Sequence, residues 1–105
     1  MAGRFRCSMF RIELTPEAVE DLILLRKFDQ QQIIAAIERQ LSDQADQETH
    51  NRKRLRPNQL AEWELRVGGF RVFYDIDREN AAVKIETIGY KQGSKLFEHG
   101  EEFHL

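Results

Sequence analysis

The chain has 105 residues, 41% of them apolar and 32% charged, and a formal net charge of −2 at pH 7. That length fits a single domain over residues 1–105 with one modest core, and the composition is that of an ordinary globular protein rather than a disordered one. No apolar run nears the ~18 residues of a membrane span, and the one cysteine, Cys7, excludes an intrachain disulfide. The first residues, MAGRFRCSM, hold no apolar run of signal-peptide length, so a cytoplasmic setting without a membrane is expected, with residues 1–8 either disordered or an N-terminal extension. The slight excess of acid argues against non-specific coating of nucleic acid, an affinity that comes mostly from Lys and Arg.

Phe10 to Leu14 alternates apolar and charged side chains and reads as a half-buried strand. Thr15 then offers a helix N-cap, Pro16 suits the first helical position, and Glu17 and Glu20 suit the positive end. A helix is expected from Pro16 to about Lys27, with Val19, Leu22 and Ile23 in its apolar stripe. Phe28-Asp29 reads as a corner, and Asp29 as the cap of a second helix in which Ile33, Ile34, Ile37 and Leu41 recur through about Gln44. Helices joined so briefly are expected to pack as an antiparallel pair. From Ser42 to His50 the period is lost and a loop follows.

Charge is segregated along the chain. Arg52, Lys53, Arg54 and Arg56 place four cations in five residues, which reads either as a solvated loop or as a contact to RNA or to acidic partner segments. Pro57-Asn58 marks a turn.

Trp63 to Val67 alternates again, Gly68-Gly69 follows, and Phe70 to Ile76 is rich in aromatic and branched residues. This is a β-hairpin signal, because a two-residue Gly-Gly loop reaches the positive φ of the tight hairpin turns and fixes the register. Val67 then pairs with Phe70, Leu65 with Val72 and Trp63 with Tyr74 on the core face. Arg66 pairs with Arg71 and Glu64 with Phe73 on the other. Two arginines directly opposed repel by roughly 0.2–1 kcal/mol, which solvent, Glu64 or a bound anion must offset. Phe73 on that second face reads as a base-stacking or partner-covered aromatic. After the polar turn at 77–80, Ala82 to Ile88 forms a third strand with Val83, Ile85 and Thr87 on one face, and Ser94 to Leu105 has no assigned form.

The resulting fold class is α+β: an N-terminal strand, an antiparallel helical pair, and a three-stranded antiparallel meander whose one face the helices cover. Its opposite face, with Arg66, Arg71, Glu64 and Phe73, is the expected ligand face. His99 and His104 flank Glu101 and Glu102, but no known metal-ligand spacing is present, so neither a metal nor another cofactor is expected.

The opening RIELTPEAVEDL, the RLRPN before the hairpin, LRVGGFRVFYDID and the later IGYKQGSKLF together resemble the RelE/ParE superfamily of bacterial type II toxin–antitoxin toxins. The resemblance implies the RelE-like fold from Met9 onward. It implies, for RelE-like members, cleavage of mRNA in the ribosomal A site with the mRNA's own 2′-hydroxyl as nucleophile, and for ParE-like members inhibition of DNA gyrase. It also implies a cognate antitoxin whose disordered segment folds over the toxin. On the RelE-like pattern Arg71 stabilises the scissile phosphate, with Arg66 and Lys91 assisting, and Arg52, Lys53, Arg54, Arg56, Lys95 and Phe73 touch RNA. The chain departs from the pattern where Glu62 and Glu64 replace two lysines and Phe97 replaces a tyrosine. Phe97 cannot transfer a proton; Tyr90, Lys95 or a histidine stands as a substitute. Glu64 beside two arginines suits a general base and equally a salt bridge.

Overall fold

The computed structural model describes residues 9–92, 95–98 and 101–103; Cys7, His99 and His104 lie outside them, as do residues 1–8. Strand β1 (Arg11–Leu14) leads into helix α1 (Pro16–Ile23) and helix α2 (Lys27–Leu41). The strands β2 (Arg52–Arg54), β3 (Trp63–Val67), β4 (Phe70–Asp77), β5 (Ala82–Gln92), β6 (Lys95–Glu98) and β7 (Glu101–Phe103) follow. In the sheet they lie in that same order from β2 to β7, each pair antiparallel, while β1 pairs parallel with the start of β5. None of the described helices is long and apolar enough to cross a membrane.

The α+β class stands, and the sheet is wider than a meander plus one strand. The hairpin register agrees pair for pair with the expectation, from Val67 opposite Phe70 to Trp63 opposite Tyr74. Gly68 sits at φ +61°, the left-handed conformation that a side chain would strain.

Thr15 caps α1 as expected, its side chain accepting from the Ala18 N–H; such a cap contributes about 0.5–2 kcal/mol. The helix ends at Ile23, earlier than its apolar pattern predicts, although neither Gly nor Pro stops it. The Leu24 N–H donates to the Glu20 carbonyl at 3.3 Å and the Leu25 N–H to the Leu22 carbonyl at 3.0 Å, and Arg26 is extended before α2 begins. This early corner sends Leu25 inward and leaves Leu24 83% exposed. Asp29 is not a cap but sits in the first turn of α2, 3.3 Å from the Arg26 Nε. Nor do the helices chiefly pack on one another: α1 lies against β5 and β1, and α2 against β3.

The main core joins Ala18 and Leu22 of α1, and Ile33, Ala36, Ile37 and Leu41 of α2, to Trp63, Leu65, Val72, Tyr74, Val83, Ile85 and Ile88. Trp63 and Tyr74 stack with ring centroids 6.0 Å apart, and the Tyr74 hydroxyl donates to the Ala45 carbonyl at 2.7 Å. This satisfies the one polar atom of a fully buried ring. Burial drives the Tyr74 pKa upward, so the phenol stays a donor.

The third strand departs from simple alternation. Between the pairs Phe73–Thr87 and Tyr74–Ile85 the register shifts, leaving Glu86 as an extra residue on β5. A bulge of this kind reverses which side successive residues face. Val83 and Ile85 point to the helices before it; Ile88 does so after it, and Thr87 leaves the row it was expected to share. α1 runs along the edge of β5 here. Its buried Asp21 accepts from the Thr87 hydroxyl at 2.8 Å and from the Ile88 N–H at 2.9 Å, receiving an edge donor that no neighbouring strand reaches.

Candidate functional site

The sheet face away from the helices carries its cations at the hairpin end, and strand alternation explains how they meet. Arg66 on β3 lies opposite Arg71 on β4, which lies opposite Gly89 on β5. Since Ile88 and Tyr90 point to the helix side after the bulge, Lys91 falls on the Arg71 side by alternation. Lys53 of β2 pairs with Glu64 of β3 and so joins the same face. Arg66, Lys91 and Lys53 are exposed, whereas Arg71 and Glu64 are buried, at 8% and 5% exposure. Gly89, opposite Arg71, is buried like it.

The Arg71 guanidinium is folded onto the hairpin turn. Its Nη1 donates to the Gly68 and Phe70 carbonyls, both at 2.8 Å. Its Nε lies 3.8 Å from the Glu64 Oε2, too long for a hydrogen bond, and has no hydrogen-bond partner. Burial holds the Arg71 pKa below its ordinary value; Glu64 pulls it back up and Arg66 presses it further down. Glu64 therefore sits as the counter-charge of Arg71, buried rather than facing solvent, where a base would meet substrate.

The other expected RNA contacts divide. Arg52, expected on the surface, is 3% exposed and faces the helices opposite Leu65. Its Nε donates to the Gln47 carbonyl at 2.9 Å and its Nη1 to the Gln40 carbonyl at 3.2 Å, while the Gln40 and Gln44 side chains also accept from it. It thus receives a carbonyl left open at the end of α2. Burial with these partners withdraws it from any RNA contact. Phe73 is likewise corrected: it is 0% exposed, in a second small core with Ala61 and Leu96, flanked by Leu55 and Leu60. It offers no face for stacking on a base. Arg54 and Arg56 are exposed, around a cleft of about 480 Å³ formed by the 54–62 segment. Lys95 begins β6 opposite Gln92, and its side chain lies outside the described residues.

Phe97 stacks on Tyr90 with centroids 5.4 Å apart. Tyr90 is 40% exposed but lies on the Leu24–Leu25 side of β5, so this phenol does not join the cations. Among the described residues no group of three His, Cys, Asp or Glu side chains is placed to hold a metal ion.

A sheet backed by two helices, with an arginine pair beside a Gly-Gly turn, defines a small toxin-like α+β domain, and comparison with known proteins agrees. Residues 12–93 match the family described as the ParE toxin of the type II toxin–antitoxin system, parDE, and the chain belongs to that family. It is thus a type II toxin–antitoxin toxin of the RelE/ParE superfamily. Two solved structures share its fold. One is the toxin–antitoxin complex RelBE2 from Mycobacterium tuberculosis, with a TM-score of 0.67 and 23% identity over 78% of this chain and 98% of that one. The other is the archaeal RelE–RelB complex from Pyrococcus horikoshii OT3, with a TM-score of 0.61 and 17% identity over 76% and 92%. No curated protein matches.

Proposed function

We propose that the protein is a RelE-like toxin that acts in the cytoplasm by cleaving mRNA on the ribosome. The observation that carries this reading is the grouping of Arg66, Arg71, Lys91 and Lys53 on one sheet face, with the Arg71 Nε ion-paired to Glu64 but making no hydrogen bond. Attack of a 2′-hydroxyl on the adjacent phosphorus concentrates negative charge on the phosphorane oxygens, and preorganised cations stabilise that charge more than they stabilise the ground state. Arg71 is held by two backbone carbonyls and one carboxylate, so little reorganisation accompanies phosphate binding. Arg66 and Lys91 add charge from the flanking strands. Glu64 positions Arg71 rather than taking a proton; as the 2′-oxygen bonds to phosphorus the P–O5′ bond breaks, the 2′-hydroxyl proton passes to water or to a group of the ribosome, and water or such a group protonates the leaving 5′-oxygen.

A cognate antitoxin is the partner in this reading, as both solved neighbours are toxin–antitoxin complexes. The exposed apolar corner of Ile23, Leu24 and Phe28 is the surface that needs cover.

The test is mapping of mRNA ends after the purified protein meets programmed ribosomes, with ribosome-free RNA alongside. Cleavage within the A-site codon, reduced on the order of a hundredfold or more by Arg71→Ala, is expected. No cleavage at any concentration overturns the reading.

One observation favours a second reading, inhibition of DNA gyrase by binding. Arg71 already faces the counter-charge of Glu64 and is tied to the backbone, and the matched family bears the ParE description. Loss of gyrase supercoiling with translation intact would establish it.

A further inference from the structure

We propose that the cleft between the 54–62 segment and the end of β4 is a subsite for one nucleotide of single-stranded RNA, its phosphate on Arg54 and Arg56 and an amine-bearing base on Glu62 and Asp75. The inference rests on the ribonuclease reading for its biological setting, though its chemistry stands on the cleft alone.

The walls of the cleft are preorganised. The Asn58 carboxamide donates to the Arg56 and Ala61 carbonyls at 2.7 and 2.9 Å and accepts from the Leu60 and Ala61 N–H groups at 2.7 and 3.1 Å. Four bonds from one side chain lock the segment across its own turn. Asp75 is oriented by the Glu62 N–H, which donates to its Oδ1 at 2.8 Å. Among the described residues the Arg54 and Arg56 guanidinium groups have no hydrogen-bond or ion-pair partner, and both line the cleft.

The charges select the ligand class. Two free guanidinium groups lining one cleft supply charged donors for phosphate. Two carboxylates accept from exocyclic amines, which adenine, cytosine and guanine carry and uracil lacks. Half-buried Leu60 gives the base an apolar wall. A simple anion meets the carboxylates and a simple cation meets the arginines, so the occupant must carry both poles. Glu62, just before β3, and Arg66, within it, stand four positions apart, a span of about 13 Å, which a short single-stranded segment bridges.

The experiment is titration of the isotope-labelled full chain with AMP, CMP, UMP and inorganic phosphate, reading the amide resonances of Asn58, Leu60 and Ala61. AMP and CMP are expected to shift them with affinities of about 1–10 mM, and UMP and phosphate at least about fivefold more weakly. Arg56→Ala should weaken all four ligands, and Glu62→Gln should erase the preference over UMP while the spectrum reports an intact fold. Equal responses to AMP and UMP, or none up to about 10 mM, would overturn the subsite. Response to a mixed-charge peptide but not to AMP would make the cleft a protein contact and overturn it too. The titration needs no ribosome. Nucleotide binding without mRNA cleavage would therefore fell the ribonuclease reading and leave the subsite, and cleavage without nucleotide shifts the reverse.

Discussion

The Nε of Arg71 and the Oε2 of Glu64 lie 3.8 Å apart, both side chains nearly buried, and no hydrogen bond joins them. A pair of that kind is costly to split and much less costly to remove whole, because splitting leaves one charge buried alone. Glu64→Ala is therefore expected to destabilise the fold by roughly 3–5 kcal/mol, and Glu64→Leu with Arg71→Leu by much less than the sum of the single changes. Urea midpoints of the two single variants and the double variant give the cycle; additive losses would show that the carboxylate does not serve as the arginine's counter-charge.

The neighbours Arg52 and Lys53 should behave oppositely. Arg52→Ala removes the donor that receives the end of α2 and is expected to lower stability by about 2–4 kcal/mol. Lys53→Ala, exposed on the open face, should stay within about 0.5 kcal/mol of the parent and weaken RNA binding instead. Thermal unfolding beside ribosome cleavage would separate them, and a stable Arg52→Ala protein would refute its capping role.

Glu86 makes stability depend on pH. Burial and Asp75 raise its pKa to about 7, with Glu17 of α1 adding to the rise and Lys84 opposing it. The folded state thus holds this proton more tightly than the unfolded one. The contribution is present at low pH, below the ordinary Glu range, and is lost as pH climbs through about 7. Glu86→Gln should then flatten the difference in urea midpoint between about pH 5 and pH 8. An unchanged slope would show that the proton is held elsewhere.

Asp21→Ala should cost about 1–3 kcal/mol by stranding the Ile88 N–H and the Thr87 hydroxyl. Hydrogen exchange offers a local readout, since the Ile88 amide should lose protection more than Val72, its neighbour on β4.

The hairpin was legible because two local signals coincide there, alternation and a Gly-Gly turn, and each fixes the same register. The Arg66–Arg71 face follows from that register alone. Phe73 was misread because its cover comes from Ala61 and Leu96, in segments with no clear period of their own. Arg52 was hidden for a related reason: β2 is three residues long, so its alternation shows only once Leu65 is known to stand opposite. The corner at Leu24 has no Gly or Pro to announce it, and tertiary packing of Leu22 and Leu25 decides it. Nothing near Glu86 in the sequence marks a bulge. The parity of Thr87 and Lys91 was thus beyond a reading of single strands, although Lys91 was placed with the arginines through the family resemblance.

That extra residue in β5 acts as a phase setter for everything that follows it. Were Glu86 drawn into the ladder as an ordinary strand residue, without the bulge, strict alternation would rotate the downstream half of the strand by one step. Tyr90 would then come up beside Arg71 and Lys91 would turn toward Leu24 and Leu25, so the bulge at one residue decides whether this face is armed with an ammonium or a phenol.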